Sequence, residues 1–373
     1  MTAERVLVLN AGSATLKATV LDMPSTEAAF DRTVGWPSGT SAAAVGEAVD
    51  AALAAMRAGS IRPGSLTAVG HRVVHGGEHF TGPALIDDEA LVALDEVADL
   101  APIHDPLAIA TIRAARARID APHVAAFDTA FHATLPEAGR RYPVPDAWGE
   151  RYGVRRFGFH GLSVGWSVRQ AGALLRRPSD ELRLVVAHLG GGCSVTAVDG
   201  GGSVDTSMGL TPLEGLMMAT RSGSIDPGIV FRLIRAGVGP DDVERALDHD
   251  SGLRGVGGTD DMRELLAREA VGDERATLAI ELFVRRAAAA IAAATTTLPT
   301  VDALVFTGGI GEHAARVRSL ICGRLRGLGV PTVPPDAGDE GVIATGEGGP
   351  TVLVVHARED VVIAEAALDL VRG

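Results

Sequence analysis

Short apolar runs alternate with longer helical patterns along the chain. The runs at residues 6–9, 123–127, 184–187 and 303–306 have the length and the flanking residues of buried strands. Longer stretches rich in alanine and other helix formers predict helices at residues 42–58, 106–118, 164–176, 263–270, 277–297, 315–325 and 359–371. Strands mixed with helices of this length predict an α/β protein.

Glycine turns follow three of the predicted strands. They lie at Gly12, at residues 190–192 and at residues 308–311. A buried strand followed by a glycine turn brings backbone N–H groups close to a phosphate. Residues 6–22 and 184–200 also share a pattern of apolar run, glycine turn and second β-prone run, and each predicts a hairpin. Their separation, near half the chain length, is typical of a duplicated domain.

Composition and charge narrow the class of protein. A length of 373 residues favours two domains. The net charge of −13, from 34 basic and 47 acidic residues, argues against nucleic acid or an anionic membrane as the main partner. The two cysteines, Cys193 and Cys322, form no disulfide framework, so a cytoplasmic location is expected. The N-terminus predicts a strand rather than a signal peptide, and no uncharged apolar run reaches the roughly 20 residues of a membrane-spanning helix.

Three polar residues in the first half of the chain are candidates for chemistry. Lys17 follows a glycine turn with hydroxyl side chains, which can hold a phosphate, although a solvated lysine on a hairpin is the alternative. Arg72 lies among apolar residues and can bind a carboxylate or phosphate, or else pair with a structural carboxylate. Asp128 follows a predicted strand, where metal-binding acids, catalytic acids and helix N-caps all occur.

Later segments of the chain offer three more candidates. His160 can donate to phosphoryl oxygens, or be a structural histidine. Arg221 precedes a Ser-Gly-Ser turn, which suits an arginine presented into a cleft. Residues 306–314 hold a weak G-x-G-x-x-A signal, but too little chain follows for a complete dinucleotide-binding sheet. The general rule that phosphates bind at helix N-termini still applies there.

Taken in order, these segments resemble the acetate kinase family. They are NAGSATLK at 10–17, GHRVVHGGE at 70–78, AFDTAFHATLP at 126–136, RRFGFHGLS at 155–163, AHLGGGCS at 187–194, MGLTPLEGLMMATRSGSIDPG at 208–228, TDDMR at 259–263, FTGGIGEH at 306–313 and HAREDVVIA at 356–364. The resemblance covers nearly the whole chain, and the block at 208–228 is highly specific.

The resemblance implies a fold and an activity. The fold is a pair of duplicated RNase H-like (βββαβαβα) domains of the actin-like ATPase class, with nucleotide in the cleft between them. Residues 1–132 with 359–373 would form the carboxylate and magnesium lobe, and residues 133–358 the nucleotide lobe. The activity is reversible, direct transfer of the γ-phosphoryl group of ATP to acetate or propionate. The resemblance further implies Mg²⁺, with Mn²⁺ as an alternative, ATP and ADP as co-substrates, and a homodimer.

The resemblance also implies roles for individual residues. The catalytic residues would be Asp128, His160, Arg221 and Arg72, and Arg72 would also bind the carboxylate. The pocket for the acyl group would be formed by Val74, Ile103, Phe159 and Pro212. The metal ligands would be Asn10 and Glu359. The nucleotide would be bound by Lys17, His188, Leu189, Gly190, Gly191, Gly192, Asp261, Met262, Arg263, Gly309, Ile310, Gly311, Glu312 and His313.

Several departures from the family pattern keep alternatives open. Gly191 stands where the family usually has Asn, and Asp105 also stands where Asn is more common. Leu107, Leu162 and Val164 also depart from the family pattern, and they motivate a kinase with a longer or hydroxylated acid as acceptor. A non-catalytic ATP-binding regulator is the third reading, although Arg72, Asp128 and Arg221 are all present.

Overall fold

The two predicted hairpins begin two separate sheets. The computed structural model describes residues 4–12, 14–36, 40–102 and 104–373. The strands, in chain order, are β1 Glu4–Ala11, β2 Thr15–Met23, β3 Glu27–Gly35, β4 Ala68–Val73, β5 Ala84–Leu85, β6 His123–Phe127, β7 Arg183–Leu189, β8 Cys193–Asp199, β9 Gly202–Thr206, β10 Ala303–Thr307, β11 Gly341–Ala344 and β12 Thr351–Val354.

The α-helices connect and cover these strands. In chain order they are α1 Ala42–Ala58, α2 Asp88–Val97, α3 Asp105–Arg116, α4 Glu137–Arg140, α5 Asp146–Tyr152, α6 Gly161–Leu175, α7 Pro227–Arg235, α8 Pro240–His249, α9 Gly252–Gly257, α10 Met262–Glu269, α11 Glu274–Thr295, α12 Gly308–His313, α13 Ala315–Arg324 and α14 Glu359–Arg372. In the described part of the chain, no helix combines the length and the apolar character that crossing a membrane requires.

The chain divides into two compact units. The first unit contains Met1–Ala133 and Arg358–Gly373, and the second contains Thr134–Ala357. The sheet of the first unit has the order β3-β2-β1-β4-β6-β5. In it, β1 pairs antiparallel with β2 and parallel with β4, and β4 pairs parallel with β6. Helices α1 and α3 pack on this sheet, and their apolar faces join the buried core.

The second unit repeats this topology. Its sheet has the order β11-β12-β10-β7-β8-β9. Strand β7 pairs antiparallel with β8 and parallel with β10, and β10 pairs parallel with β12. In each unit the first three strands form an antiparallel meander, and the first of them also pairs with a later strand that runs parallel to it. This repeat confirms the duplicated α/β fold, and both predicted hairpins are present.

Local sequence explains several helix boundaries. The Asp226 side chain accepts from the Gly228 N–H at 2.8 Å, and Pro227 occupies the first turn of α7, where a missing N–H costs nothing. Asp273 accepts from two N–H groups at the start of α11. The predicted helices are present, with boundary shifts of a few residues. One expectation was wrong: the glycines at 308–311 are not a turn but the short helix α12, which begins directly after β10.

The C-terminal helix α14 belongs to the first unit, where it packs against β4. Gly70 makes this packing possible, because a Cβ at that position would lie 2.5 Å from Ile363 Cγ2. The close approach fixes the start of α14, and therefore Glu359, relative to the ends of the strands of this sheet.

Candidate functional site

A cluster of charged side chains lies at the ends of the strands in the first unit. Arg72 is on β4 and Asp128 directly follows β6, and because these strands are parallel neighbours, the two residues meet. Arg72 donates from Nε to Asp128 Oδ1 at 3.1 Å and from Nη2 to Oδ2 at 2.5 Å. Asn10, near the end of β1, accepts from Arg72 Nη1 at 3.3 Å. Glu359, the first residue of α14, places Oε2 3.5 Å from Arg72 Nε.

The charges in this cluster perturb one another. Burial alone would lower the pKa of Arg72, but the negative charges of Asp128 and Glu359 hold it above its usual value. Burial raises the pKa of Glu359, and repulsion from Asp128 adds to this effect while Arg72 opposes it. Two carboxylates therefore face one guanidinium, and the cluster carries an excess of negative charge.

Asp105 and Val74 lie next to this cluster. The fully buried Asp105 accepts through Oδ1 from the N–H groups of Val74 and His75, each at 3.2 Å. Its Oδ2 is buried with no hydrogen-bond partner among the described residues. Burial raises the pKa of Asp105 to about 8, although these two N–H donors oppose the shift. Val74 is buried, as an apolar pocket residue would be, and the predicted pocket residue Ile103 lies outside the described residues.

Lys17 has a more ordinary setting. It lies on β2 with a side chain that is half exposed, and its Nζ is 3.2 Å from Asp31 Oδ2 on β3. Among the alternatives raised by the sequence, this placement agrees with a solvated lysine on a hairpin and leaves the ammonium group accessible.

The second unit contains a cavity of about 500 Å³, a volume typical of a small-ligand site. Three segments form its walls, namely the β7–β8 turn, the start of α10 and the helix α12. The residues that line it are Gly190, Gly191, Ala219, Asp260, Asp261, Met262, Arg263, Leu266, Gly309, Ile310, His313 and Ala314.

Glycines allow two of these walls to approach each other. A Cβ on Gly190 would lie 3.6 Å from the backbone N of Gly309, so the β7–β8 turn touches the start of α12. Gly308 has φ +76°, and a Cβ there would lie 2.9 Å from the Leu189 carbonyl oxygen. Only glycine fits this conformation without strain. The start of α12 therefore lies beside the cavity, and its N–H groups after that of Gly308, which donates to Glu312 Oε1, suit an anion.

His160 and Arg221 approach the same turn of the second unit. A Cβ on Gly192 would lie 3.1 Å from His160 Nε2 and 3.6 Å from Arg221 Nη1. His160 has φ +59°, an uncommon conformation for a residue other than glycine and one that often marks a functional position. Its Nδ1 is 2.9 Å from Ser194 Oγ, and its ring stacks on His188 at 4.1 Å.

Contacts of its guanidinium group with Pro212 and Asp248 hold Arg221 in place. Its Nη1 donates to the Pro212 carbonyl at 3.4 Å, and its Nε lies 3.8 Å from Asp248 Oδ1. Burial lowers the pKa of Arg221, and Asp248 opposes the shift. Phe159, adjacent to His160, is buried, and Pro212 is half-buried.

The structure brings most of the predicted nucleotide residues together. Of these, Gly190, Gly191, Asp261, Met262, Arg263, Gly309, Ile310 and His313 line the cavity. Within the described part of the chain, His188, Leu189, Gly192, Gly311 and Glu312 stand behind or beside the lining. The Glu312 carboxylate is directed to backbone, since Oε1 accepts from the N–H groups of Gly308 at 2.9 Å and Ala357 at 3.0 Å.

Sequence reasoning missed four lining residues and several partners. Leu266 lies one helical turn after Met262, so helical periodicity could have found it. Asp260 and Ala314 are chain neighbours of predicted residues. Ala219 is distant in the chain from them, and its N–H donates to the carbonyl of the predicted residue Gly191 at 3.2 Å. No sequence signal pairs Arg221 with Asp248 or His160 with Ser194, because the partners are far apart in the chain.

Comparisons with known proteins agree on one family. The model described as the Acetokinase family matches residues 32–365. Among curated proteins, an acetate kinase of Synechococcus sp. (strain JA-2-3B'a(2-13)) is 47% identical over 322 residues, covering 84% of this chain and 80% of the relative. An acetate kinase of Deinococcus radiodurans is 44% identical over 394 residues, covering 98% of each chain.

Solved structures give the same result. A propionate kinase from Francisella tularensis superposes with a TM-score of 0.89 at 34% identity, covering 98% of this chain and 99% of that one. An acetate kinase from Porphyromonas gingivalis superposes with a TM-score of 0.88 at 32% identity, covering 99% and 100% of the two chains.

Proposed function

Because the chain belongs to the acetokinase family, whose activity is ATP-dependent phosphorylation of acetate, we propose how its two units perform that reaction. The γ-phosphoryl group of ATP passes directly and reversibly to acetate or propionate, which gives an acyl phosphate and ADP. The observation that carries the proposal is the approach of His160 and Arg221 to Gly192, beside the cavity that the same glycine turn lines. Two cationic or donor side chains at the edge of a nucleotide-sized cavity suit a transferring phosphoryl group.

The second unit is proposed to bind the nucleotide. The N–H groups at the start of α12 and the glycine turn at 190–192 suit the phosphates, and the walls around Met262 and Ile310 suit the apolar faces of the base and ribose. Lys17, from the first unit, is assigned to the phosphates. The domain roles predicted from sequence, a carboxylate and metal lobe and a nucleotide lobe, are retained as part of this proposal.

The first unit is proposed to bind the carboxylate through Arg72. Asp128 holds Nε and Nη2 of the guanidinium, whereas Nη1 makes only a long 3.3 Å hydrogen bond with Asn10 among the contacts of the described residues. We therefore assign the Nη1 edge to the substrate carboxylate, with Asp128 as the residue that orients the guanidinium. The assignment of Val74, Ile103, Phe159 and Pro212 to the acyl group, which the family resemblance implies, is kept as part of the proposal.

The side chains of Asn10 and Glu359 are suitable ligands for a magnesium ion. Both offer hard oxygen donors, the kind that Mg²⁺ prefers, and Mn²⁺ accepts the same ligands. Burial raises the pKa of Glu359 and repulsion from Asp128 adds to the shift, so a divalent cation beside these two carboxylates would offset their negative charge. When bound, the ion neutralises charge on the phosphates of ATP.

The chemistry requires positioning more than proton transfer. A carboxylic acid with a pKa of about 4–5 is ionised at neutral pH and needs no general base to attack phosphorus. Arg72 holds this anion in place, so that the two reacting groups need not meet by diffusion. Arg221 and His160 then donate to the equatorial oxygens of the phosphoryl group as charge develops on them.

We also propose a homodimer and a cytoplasmic location. Helix α7 exposes Ile229, Phe231, Leu233 and Ile234, and Phe231 is 56% exposed. So many large apolar side chains on one nine-residue helix form a patch of the kind that partners cover. A second copy of the chain is the partner assigned here. Both cysteines are buried and unpaired, as expected in a reducing compartment.

An acid panel tests the proposed activity. The chain is incubated with ATP, Mg²⁺ and acetate, propionate, butyrate or lactate, and the acyl phosphate is trapped with hydroxylamine. Highest kcat/KM for acetate or propionate is the expected result. Preference for butyrate or lactate would replace the assigned acceptor, and ATP binding without turnover on any acid would favour a regulator.

A further inference from the structure

Three metal-ligating side chains of the second unit form a cluster to which the proposed reaction assigns no metal, although one of them, His313, also lines the nucleotide cavity. His313 ends α12, Asp339 lies in the loop before β11, and His356 follows β12. One ligand atom from each residue lies within 4.8 Å of the other two. His313 and Asp339 are exposed and His356 is half-buried, so an ion can reach the cluster from solvent.

A single buried arginine, Arg318, holds two of the three ligand-bearing segments together. Arg318 on α13 is fully buried and donates to four carbonyl oxygens. It reaches Gly311 and Glu312 in α12 at 2.9 and 2.5 Å, and Ala337 and Gly338 in the loop at 3.0 and 2.7 Å. These bonds fix the backbone before Asp339 against the helix that carries His313. The loop is therefore attached at a defined position.

The third segment is attached to the same helix. Glu312 Oε1 accepts from the Ala357 N–H at 3.0 Å as well as from Gly308. The indole N–H of Trp166 donates to the His356 carbonyl at 2.9 Å. The peptide group between His356 and Ala357 is thus held at its carbonyl and at its N–H by buried or half-buried groups. All three ligand-bearing segments are positioned by contacts that do not involve the ligand atoms themselves.

The tautomer of His356 also suits a metal ligand. Its Nε2 lies 2.8 Å from the backbone carbonyl oxygen of Asp339. A carbonyl can only accept, so in the neutral ring Nε2 carries the proton and Nδ1 carries the lone pair. A ring N–H donated to a backbone carbonyl is the arrangement that orients histidines at metal sites.

We propose that His313, Asp339 and His356 form a site for a divalent transition metal of the Zn²⁺ class. Two imidazole nitrogens and a carboxylate oxygen are ligands that Zn²⁺, Co²⁺ and Ni²⁺ prefer, whereas Mg²⁺ takes oxygen ligands. Ligand atoms around tetrahedral zinc are about 3.4 Å apart. Side-chain rotations in the exposed His313 and Asp339 that displace each ligand atom by roughly 1 Å bring the three ligand atoms to this separation. Water completes the coordination.

Metal binding at this site acts on the nucleotide cavity, because His313 is one of its lining residues. An ion that holds the His313 ring against Asp339 and His356 removes that ring from the nucleotide. We expect Zn²⁺ to raise the KM for ATP while leaving the KM for the carboxylate unchanged. This second part rests on the proposed function, whereas the metal binding itself does not.

Binding is tested on the full chain with Zn²⁺ and Co²⁺ in the presence of excess Mg²⁺. Equilibrium dialysis is expected to give one Zn²⁺ per chain, and Co²⁺ to give visible absorption bands of low-coordinate cobalt. Asp339→Asn and His356→Gln are each expected to weaken Zn²⁺ binding at least tenfold. His249→Gln, at an exposed histidine that ends α8, is the matched control and should bind as wild type does.

The results separate this inference from the kinase proposal. Equal binding by all the variants, or no stoichiometric binding, overturns the metal site whether or not the chain phosphorylates a carboxylate. Stoichiometric binding lost in the two cluster variants supports it, even if the acid panel gives no turnover. If Zn²⁺ binds to wild type but the KM for ATP measured with Zn²⁺ is the same in wild type and His356→Gln, the coupling between the metal site and the nucleotide is overturned.

Discussion

Arg72 in the first unit and Arg221 in the second are both partly buried, and they differ in how their charge is balanced. Arg72 has two carboxylates within 3.5 Å, and their charges hold its pKa above the usual value. Arg221 has a longer ion pair, 3.8 Å to Asp248, and burial lowers its pKa. The guanidinium whose charge is less completely offset gains more from an anionic ligand. We therefore assign Arg221, rather than Arg72, to the charge that develops during transfer.

Replacement of Arg221 by alanine tests this assignment. We expect kcat to fall by roughly 10³–10⁵, the range for an arginine acting on a transferring phosphoryl group. The KM for ATP should change only a few-fold, because the interaction is made mainly in the transition state. Steady-state kinetics with acetate measure both values. Arg245→Ala on α8, at an exposed arginine paired with Asp250, is the control; near wild-type turnover in Arg221→Ala would contradict the role.

Asp105 predicts a pH dependence of stability. Its pKa in the folded protein is about 8, whereas in the unfolded chain it is near the ordinary value of about 4. Between these values the folded state holds a proton that the unfolded state has lost, so the free energy of unfolding decreases as pH rises. The decrease is at most about 1.4 kcal/mol per pH unit, and it ceases above the folded pKa.

The Asp105→Asn variant keeps the acceptor for the Val74 and His75 N–H groups and removes the titration. Denaturant unfolding of wild type and variant at pH 5 and pH 8 measures the effect. We expect the variant to gain stability relative to wild type as pH rises. Asp99→Asn, at an exposed aspartate of the same unit, should keep a constant difference. A constant difference in Asp105→Asn would show that Asp105 is ionised throughout.

At the scale of elements, close approach between a strand and a helix positions Glu359. Helix α14 is separated from the rest of its unit by more than 200 residues of chain, yet it packs directly on β4. The contact depends on the missing side chain of Gly70, next to which Ile363 fits. The same contact places the first residue of α14 beside Arg72.

Gly70→Ala tests the contact between β4 and α14. The added Cβ would lie 2.5 Å from Ile363 Cγ2, so we expect a loss of about 1–3 kcal/mol in unfolding free energy. Combining it with Ile363→Ala should cost less than the sum of the two single changes, because the smaller side chain relieves the clash. Gly82→Ala, where a Cβ meets nothing within 4 Å, is the control. Strict additivity in the double variant would contradict the packing described.

At the scale of the whole molecule, α7 lies between β9 and β10, whereas the described residues between the equivalent strands β3 and β4 contain α1 as their only α-helix. The exposed apolar side chains of α7 cost solvation free energy unless a partner covers them. The proposed partner is a second copy of the chain. A self-complementary patch of this kind is the usual basis of a twofold dimer.

The Ile229→Glu, Phe231→Glu double variant tests the dimer. Light scattering after size-exclusion chromatography is expected to give a dimer for wild type and a monomer for the variant, because two carboxylates would be buried without partners. Val271→Glu is the control, since Val271 is an 86% exposed apolar residue outside α7. A wild-type monomer at micromolar concentration, or a variant that still dimerises, would contradict the assignment.

The sequence by itself determined the fold class, the repeat and the family. Period and length of apolar runs separate strands from helices, and a glycine turn after a strand is a local signal, so both hairpins could be predicted without any contact information. Residues within the matched segments also led to eight of the cavity-lining residues, since neighbours in a short loop stay neighbours in space. The local sequence pattern gave a wrong prediction at residues 308–311, where the structure has the start of a helix although glycine disfavours helices. The packing of Gly308 on Leu189 fixes the backbone there, and this contact cannot be inferred from local sequence.

Only the tertiary structure decided which of these residues come into contact and in which direction the pKa of each ionisable group is shifted. The pairing of Arg72 with Asp128, the buried carboxyl of Asp105 and the meeting of His313, Asp339 and His356 all join segments that are distant in the chain. Burial and the distance between charges determine the pKa values of such groups, and neither is encoded in local sequence. Sequence pattern records what each short segment prefers, whereas the chemistry of a site depends on which segments the folded core brings into contact.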